Sequence, residues 1–201
     1  AIHVDHNLSP NANKWDKHCK KTCKDLGVDY VIKNVNAKIK LKDHSPEEIA
    51  RKLRYEVFAK ALSKNAILVT AHHSNDQAET LLLQLFRGAG PKGLASMPMQ
   101  IKFAKGRLVR PLLNFMREEL LQYAKANKLK WIEDESNTNL KYGRNFVRHK
   151  LMPIVKKQWP GITAVLNRVA NHCAQADELL ESLAAEDLVS VAGGIKDTIN
   201  I

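Results

Sequence analysis

Apolar residues recur along this chain in two rhythms, and the rhythms alternate. Ala1-Ile2-His3-Val4-Asp5 reads as a short strand. Ser9-Pro10 then supplies a cap and a proline suited to a first helical position, and Ala12, Trp15, Cys19, Cys23 and Leu26 repeat at helical spacing until Gly27. Val28 to Ile32 follows as a second strand, and a lysine-rich loop through Lys42-Asp43-His44 leads to a capping box, Ser45-Pro46-Glu47-Glu48, that opens a helix over 46–63. The run Ala66-Ile67-Leu68-Val69-Thr70-Ala71 is continuous enough to predict a strand covered on both faces in a parallel sheet.

A further capping box, Ser74-Asn75-Asp76-Gln77, precedes a helix carrying Leu81, Leu82, Leu83, Leu85 and Phe86, which Arg87-Gly88-Ala89-Gly90-Pro91 closes. Leu108-Val109-Arg110-Pro111 reads as an edge segment, 118–128 as a helix and Lys130-Trp131-Ile132 as a last strand. Beyond Asn145 the strand signal fades into two helical stretches, 146–158 and 162–188, with a hinge at Gly193-Gly194. Strands alternating with helices predict an α/β fold with a parallel sheet followed by a helical segment. The divisions expected are 1–145, a helical linker or subdomain over 146–190, and the start of a further region at 191–201. There is no internal repeat.

Composition narrows the picture. A chain of 201 residues that is 44% hydrophobic can bury a core. Its 32 Lys and Arg against 21 Asp and Glu leave a formal charge of +11, which suits a polyanionic partner without requiring one. The three cysteines, Cys19, Cys23 and Cys173, lack zinc-ribbon or disulfide-framework spacing and point to a reducing, cytoplasmic setting. No apolar run approaches the roughly 18 residues of a membrane span. Trp15, Trp131 and Trp159 are read as packing residues before base-stacking ones.

Chemistry concentrates where the third strand meets its helix, in Ala71-His72-His73-Ser74-Asn75-Asp76-Gln77-Ala78-Glu79-Thr80. Ligands of parallel sheets gather beyond the carboxyl ends of strands, and a helix N-terminus there favours anions. His73, Asp76 and Thr80 share one helix face, with Glu79 close to it. On spacing alone, the plainer account, that Asp76 and Glu79 complement the helix dipole, outweighs a functional one.

The balance changes with resemblance. The segment from His73 to Thr80, continuing through Leu81-Leu82-Leu83 to Arg87-Gly88-Ala89-Gly90, resembles the signature of the bacterial tRNA(Ile)-lysidine synthetases within the PP-loop ATP pyrophosphatase superfamily. Four further blocks agree in order: His3-Val4-Asp5-His6-Asn7-Leu8-Ser9; Glu47 to Tyr55 with Arg51 and Arg54; Arg110-Pro111-Leu112-Leu113; and Trp131 to Asn137 with Arg144-Asn145 and Arg148.

The resemblance implies an adenine nucleotide alpha hydrolase-like domain. It also implies a reaction in which ATP adenylates a cytidine carbonyl oxygen in the CAU anticodon of a minor isoleucine tRNA, after which the amine of free L-lysine displaces AMP. By the same resemblance ATP and Mg²⁺ are the cofactors. His73, Asp76, Glu79 and Arg87 are the catalytic candidates, with Asp76 and Glu79 contacting either metal or lysine. His6, Arg51, Arg54 and Thr80 face the nucleotide, and Arg144, Asn145 and Arg148 face the RNA. The assemblies it leaves open include a homodimer.

One departure stands out. The Ser-Gly-Gly-x-Asp-Ser loop whose N–H groups cradle pyrophosphate in the superfamily does not occur here. With no initiator Met before Ala1, the expectation is a fragment that binds ATP poorly and is inactive alone. Two competing readings remain open: a PP-loop thiolase acting on tRNA cytidine, for which Cys19 and Cys23 lack a Cys-x-x-Cys spacing, and a non-catalytic RNA-binding module, which would gain nothing from Asp76 and Glu79.

Overall fold

The computed structural model describes residues 1–37 and 46–191. Over them run β1 (Ile2–Asp5), α1 (Ala12–Asp25), β2 (Val31–Asn34), α2 (Pro46–Ala61), β3 (Ile67–Val69), α3 (Ser74–Phe86) and the short α4 (Pro91–Leu94). A hairpin of β4 (Gln100–Phe103) and β5 (Gly106–Val109) follows, then α5 (Arg117–Ala126) and a 3-10 turn at Glu135–Thr138. α6 (Gly143–Phe146), a π-helical turn at Val147–Leu151, α7 (Met152–Gln158) and the long α8 (Ile162–Val191) complete the order. The fold is α/β with parallel strand pairs and a helical C-terminal stretch, as the pattern predicts. The loop at Lys42-Asp43-His44, the capping Ser45 and the Gly193-Gly194 hinge lie outside the described residues. None of the described helices is long and apolar enough to cross a membrane.

Two compact units emerge. The first comprises Ala1–Thr70, Gln100–Val109 and Ala124–Ser136; the second comprises Ala71–Met99, Arg110–Tyr123 and the chain from Asn137 onward.

In the first unit β1 and β2 pair in parallel, from Ile2 opposite Val31 to Asp5 opposite Asn34. A separate three-stranded sheet has the order β3-β5-β4, with β5 parallel to β3 and antiparallel to β4. Thus Leu108 and Val109, expected on an edge, lie in the central strand, and Leu108 is fully buried. The partner strand Gln100–Phe103 is polar enough to escape an apolar-pattern search.

β3 departs in the other direction. Successive side chains of a strand point to opposite faces, and Ile67 and Val69, on one face, are 59% and 60% exposed. An apolar strand is fit for two covering layers but does not supply the second.

Other boundaries shift for local reasons. Asn11, not Ser9, occupies the N-cap position of α1, without a side-chain bond to the helix; the Ser9 hydroxyl accepts the Asn11 N–H and donates to Glu135. Gly27 ends α1 at φ +66°, where a side chain would be strained. The second strand starts three residues later and ends two residues later than the pattern suggests. Residues 130–132 form no strand: the Trp131 ring is half exposed and its indole N–H donates to Glu133. Trp159 is likewise exposed, so neither of these two rings serves as core.

The second unit is helical, and α3 and α4 both pack on α8. Its buried apolar side chains include Ala78, Leu81, Met97, Val147, Met152 and Ala170. Pro153 sits early in α7 and has no N–H to continue the α-helical ladder, which gives a physical reason for the wider π turn just before it.

Candidate functional site

The most concentrated chemistry of the second unit is built on the first turns of α3. His73, not Ser74, is the N-cap: its backbone is extended (φ −127°, ψ 178°), its Nδ1 accepts the Asp76 N–H, and Asp76 Oδ2 accepts the His73 N–H at 3.0 Å. This reciprocal box satisfies donors that the helix start leaves unpaired, and it engages the Nδ1 lone pair of the ring. The sequence pattern misses it by one residue because serine is the usual cap and a histidine ring is a rarer acceptor. Ser74, displaced into the helix, is buried and accepts from Asn167 on α8 while donating to Met116 sulfur.

From that turn Asp76 and Glu79 project together, and the Arg148 guanidinium bridges them. Its Nε donates to Glu79 Oε1 at 2.7 Å, and its Nη2 donates to Glu79 Oε2 at 2.8 Å and Asp76 Oδ1 at 3.0 Å. Such charge-assisted, forked bonds are roughly twice as strong as neutral ones. Arg144 supports the group, donating through Nη2 to Thr80 Oγ1 at 2.6 Å with its Nε 3.6 Å from Glu79 Oε2. Thr80 in turn donates to the Asp76 carbonyl at 2.8 Å. Burial alone would weaken the Arg148 charge, but the bonds to Glu79 and the field of both carboxylates outweigh it and raise its pKa. His73 is held below its ordinary value, foremost by burial; Asp76 and Glu79 pull it up, while Arg148 and Arg117 push it down.

Glu79 is only 3% exposed. Two guanidinium groups face it, so the pair forms a receptor for a positively charged group with the Arg148 guanidinium seated in it. All four carboxylate oxygens already accept a hydrogen bond. Among the described residues no three His, Cys, Asp or Glu side chains come together as a metal cage. Any further cation, divalent ion or ammonium, would have to share these oxygens with the guanidinium.

The remaining candidates distribute as follows. Asn145 is buried and donates to the Asn139 carbonyl, so it braces the turn before α6. Arg87 is the exposed C-cap of α3, eleven residues beyond Asp76 and so roughly 16 Å along the helix axis. His6, Arg51 and Arg54 belong to the first unit. There His6 Nδ1 is buried without a partner among the described residues, and its pKa is lowered by burial first and then by the Arg54 charge. Arg51 lies over the Tyr55 ring, 4.9 Å from its centre.

Gln77, expected to close a capping box with Ser74, instead pairs its buried amide with both backbone groups of Met97. Sequence reasoning passed over Asn167, which lies 93 residues from its partner Ser74 and carries no local signal.

Cys19 is not an activated nucleophile. Cys19 and Cys23 share a face of α1 in the first unit, and burial pushes the Cys19 thiol up, away from the thiolate form.

Comparison with known proteins adds an independent line. The profile of an ATP-binding family described as a PP-loop domain matches residues 1–155. A tRNA(Ile)-lysidine synthase of Coxiella burnetii is 49% identical over 188 residues, covering 94% of this chain and 42% of that protein. One from Vibrio cholerae is 41% identical over 198 residues, covering 97% and 45%. The chain therefore spans less than half the length of these relatives. Among solved structures, a U34-tRNA thiolase of Methanococcus maripaludis superposes with a TM-score of 0.63 at 16% identity, over 86% of this chain and 60% of the other. At that identity the likeness speaks for the fold alone.

Proposed function

The chain belongs to the PP-loop ATP-binding family and matches tRNA(Ile)-lysidine synthases over nearly its whole length; on that premise we propose that it carries the core of an ATP-dependent ligase that joins lysine to a tRNA cytidine. The observation that supports this reading best is the pairing of the buried Glu79 with the part-buried Asp76, a cation receptor that a binding module would have no use for.

In the proposed reaction the cytidine carbonyl oxygen attacks the α-phosphorus of ATP and pyrophosphate leaves. The neutral ε-amine of lysine then attacks the carbonyl carbon, the C–O bond breaks, AMP departs with the oxygen, and one proton is released. The amine must arrive as an ammonium ion, the form present at neutral pH, and the Asp76 and Glu79 carboxylates would hold it in place of, or beside, the Arg148 guanidinium. His73 is assigned the proton the ammonium must lose before attack, a role that requires its Nδ1 to release the Asp76 N–H. Arg144 and Arg148 are assigned to the RNA, guanidinium planes being able to stack and to hydrogen-bond, with Asn145 bracing the turn that carries them, and Thr80 is assigned to the nucleotide. His6, Arg51 and Arg54 are assigned to the nucleotide, and Arg87 to phosphate.

Nucleoside analysis tests the reading. After incubation of a CAU-anticodon isoleucine tRNA with ATP, lysine and the intact protein that carries this sequence, digestion and mass spectrometry should give a lysine-cytidine adduct with release of AMP and pyrophosphate. A sulfur-bearing cytidine, or no lysine-dependent product, would overturn it.

A further inference from the structure

The first unit presents a second charged surface, unrelated to the carboxylate pair. An open concavity is lined by Lys64 and Asn65 from the turn after α2 and by Gln100, Lys102, Lys105 and Arg107 from the β4–β5 hairpin, with no Asp or Glu in its lining. All four cations are exposed.

Their arrangement opposes the stability of the hairpin. In the antiparallel register Lys102 stands directly opposite Arg107, and like charges at such a position repel. Nothing in the lining relieves them.

The backbone beneath is fixed. The Asn65 N–H donates to the Lys105 carbonyl at 3.0 Å, tying one loop to the other. Asn65 and Ala104 hold positive φ of 63° and 48°, and a side chain at Gly106 would collide with the Ala66 carbonyl. The charges are thus carried on a braced platform, not on free loops.

We infer that this concavity is a docking surface for the phosphate backbone of RNA. The lining contains no aromatic face on which a base could stack, so a strand of phosphates, each met by a separate cation, fits it better than a free nucleotide or an exposed base. The inference rests on the proposed action on tRNA and adds to it a contact that positions the RNA without reading its sequence.

The test is fluorescence anisotropy of this chain with two labelled transcripts, a CAU-anticodon isoleucine tRNA and an unrelated tRNA, between about 50 and 200 mM salt. Lys64→Gln, Lys102→Gln, Lys105→Gln and Arg107→Gln are combined in one variant. Lys17→Gln, Lys20→Gln, Lys21→Gln and Lys24→Gln, exposed on α1, form a control with the same loss of charge. The first variant should lose about tenfold or more in affinity at the lowest salt, equally for both transcripts, and its log–log salt slope should flatten by about three to four; the single Lys105→Gln change should flatten it by about one.

A slope in the concavity variant equal to that of the parent or of the control would overturn the inference and leave the proposed reaction standing. A parent chain that binds neither transcript would remove the docking surface together with the reading of tRNA as substrate. A urea midpoint at or above that of the parent, as relief of the Lys102–Arg107 repulsion gives, identifies the loss as one of binding.

Discussion

The Arg148 guanidinium lies in one fork across two side chains of α3, bonding both oxygens of Glu79 and one of Asp76 from a position 69 and 72 residues further along the chain. Removing it strips the buried Glu79 of two charge-assisted hydrogen bonds. Arg148→Ala should therefore lower stability by about 3 kcal/mol, the lower end for a broken buried pair because the arginine is itself 25% exposed. In a double-mutant cycle, Glu79→Gln with Arg148→Ala should cost less than the two single changes added together. Urea denaturation of the four proteins measures it, and simple additivity would show that the fork carries no coupling.

His73 gives a pH signature with a definite sign. Its folded pKa lies below the ordinary 6.5, so the unfolded state binds the proton more readily. The stability that the neutral ring contributes is complete above about pH 6.5 and is lost as pH falls through the folded value. His73→Asn keeps a capping acceptor but cannot titrate. Between pH 7 and pH 5 the parent should lose more thermal stability than His73→Asn; parallel curves in differential scanning calorimetry would contradict this.

Gln77 is a structural residue beside the site. Its amide closes two bonds to the Met97 backbone, and Gln77→Ala would leave both backbone groups unpaired in a buried position, at a cost of about 2–3 kcal/mol. The urea midpoint should fall accordingly. Were it unchanged, water must be able to replace the amide.

Cysteine chemistry is not required by the proposed reaction. Cys19→Ser with Cys23→Ser should leave lysine transfer within about twofold of the parent, since Cys19 is biased away from thiolate. Abolished transfer would favour a sulfur-dependent route.

What the sequence made legible follows from the range of each interaction. The alternation of strands and helices is local, and it appears as expected from β1 through α3. The face of β3 that carries Ile67 and Val69 depends on a partner layer, which apolarity cannot promise. The strand expected at Lys130-Trp131-Ile132 fails for the same reason, as three β-compatible residues do not make a ladder without a neighbour. At the site, Asp76, Glu79 and Thr80 could be placed on one helix from their spacing. That Arg144 and Arg148 would face those side chains could not be read from a separation of more than sixty residues, and the resemblance alone suggested only that all five mattered.

The central claim is that Asp76 and Glu79 receive the amine that becomes joined to tRNA. The direct measurement is ATP-dependent transfer of radiolabelled lysine to a CAU-anticodon isoleucine tRNA by the intact protein, beside Asp76→Asn and Glu79→Gln, with lysine varied. The account predicts that each variant loses at least about a hundredfold in kcat/KM for lysine, about 2.7 kcal/mol of transition-state stabilisation, while still forming the adenylated RNA. Transfer at the parental rate and KM in both variants would contradict it.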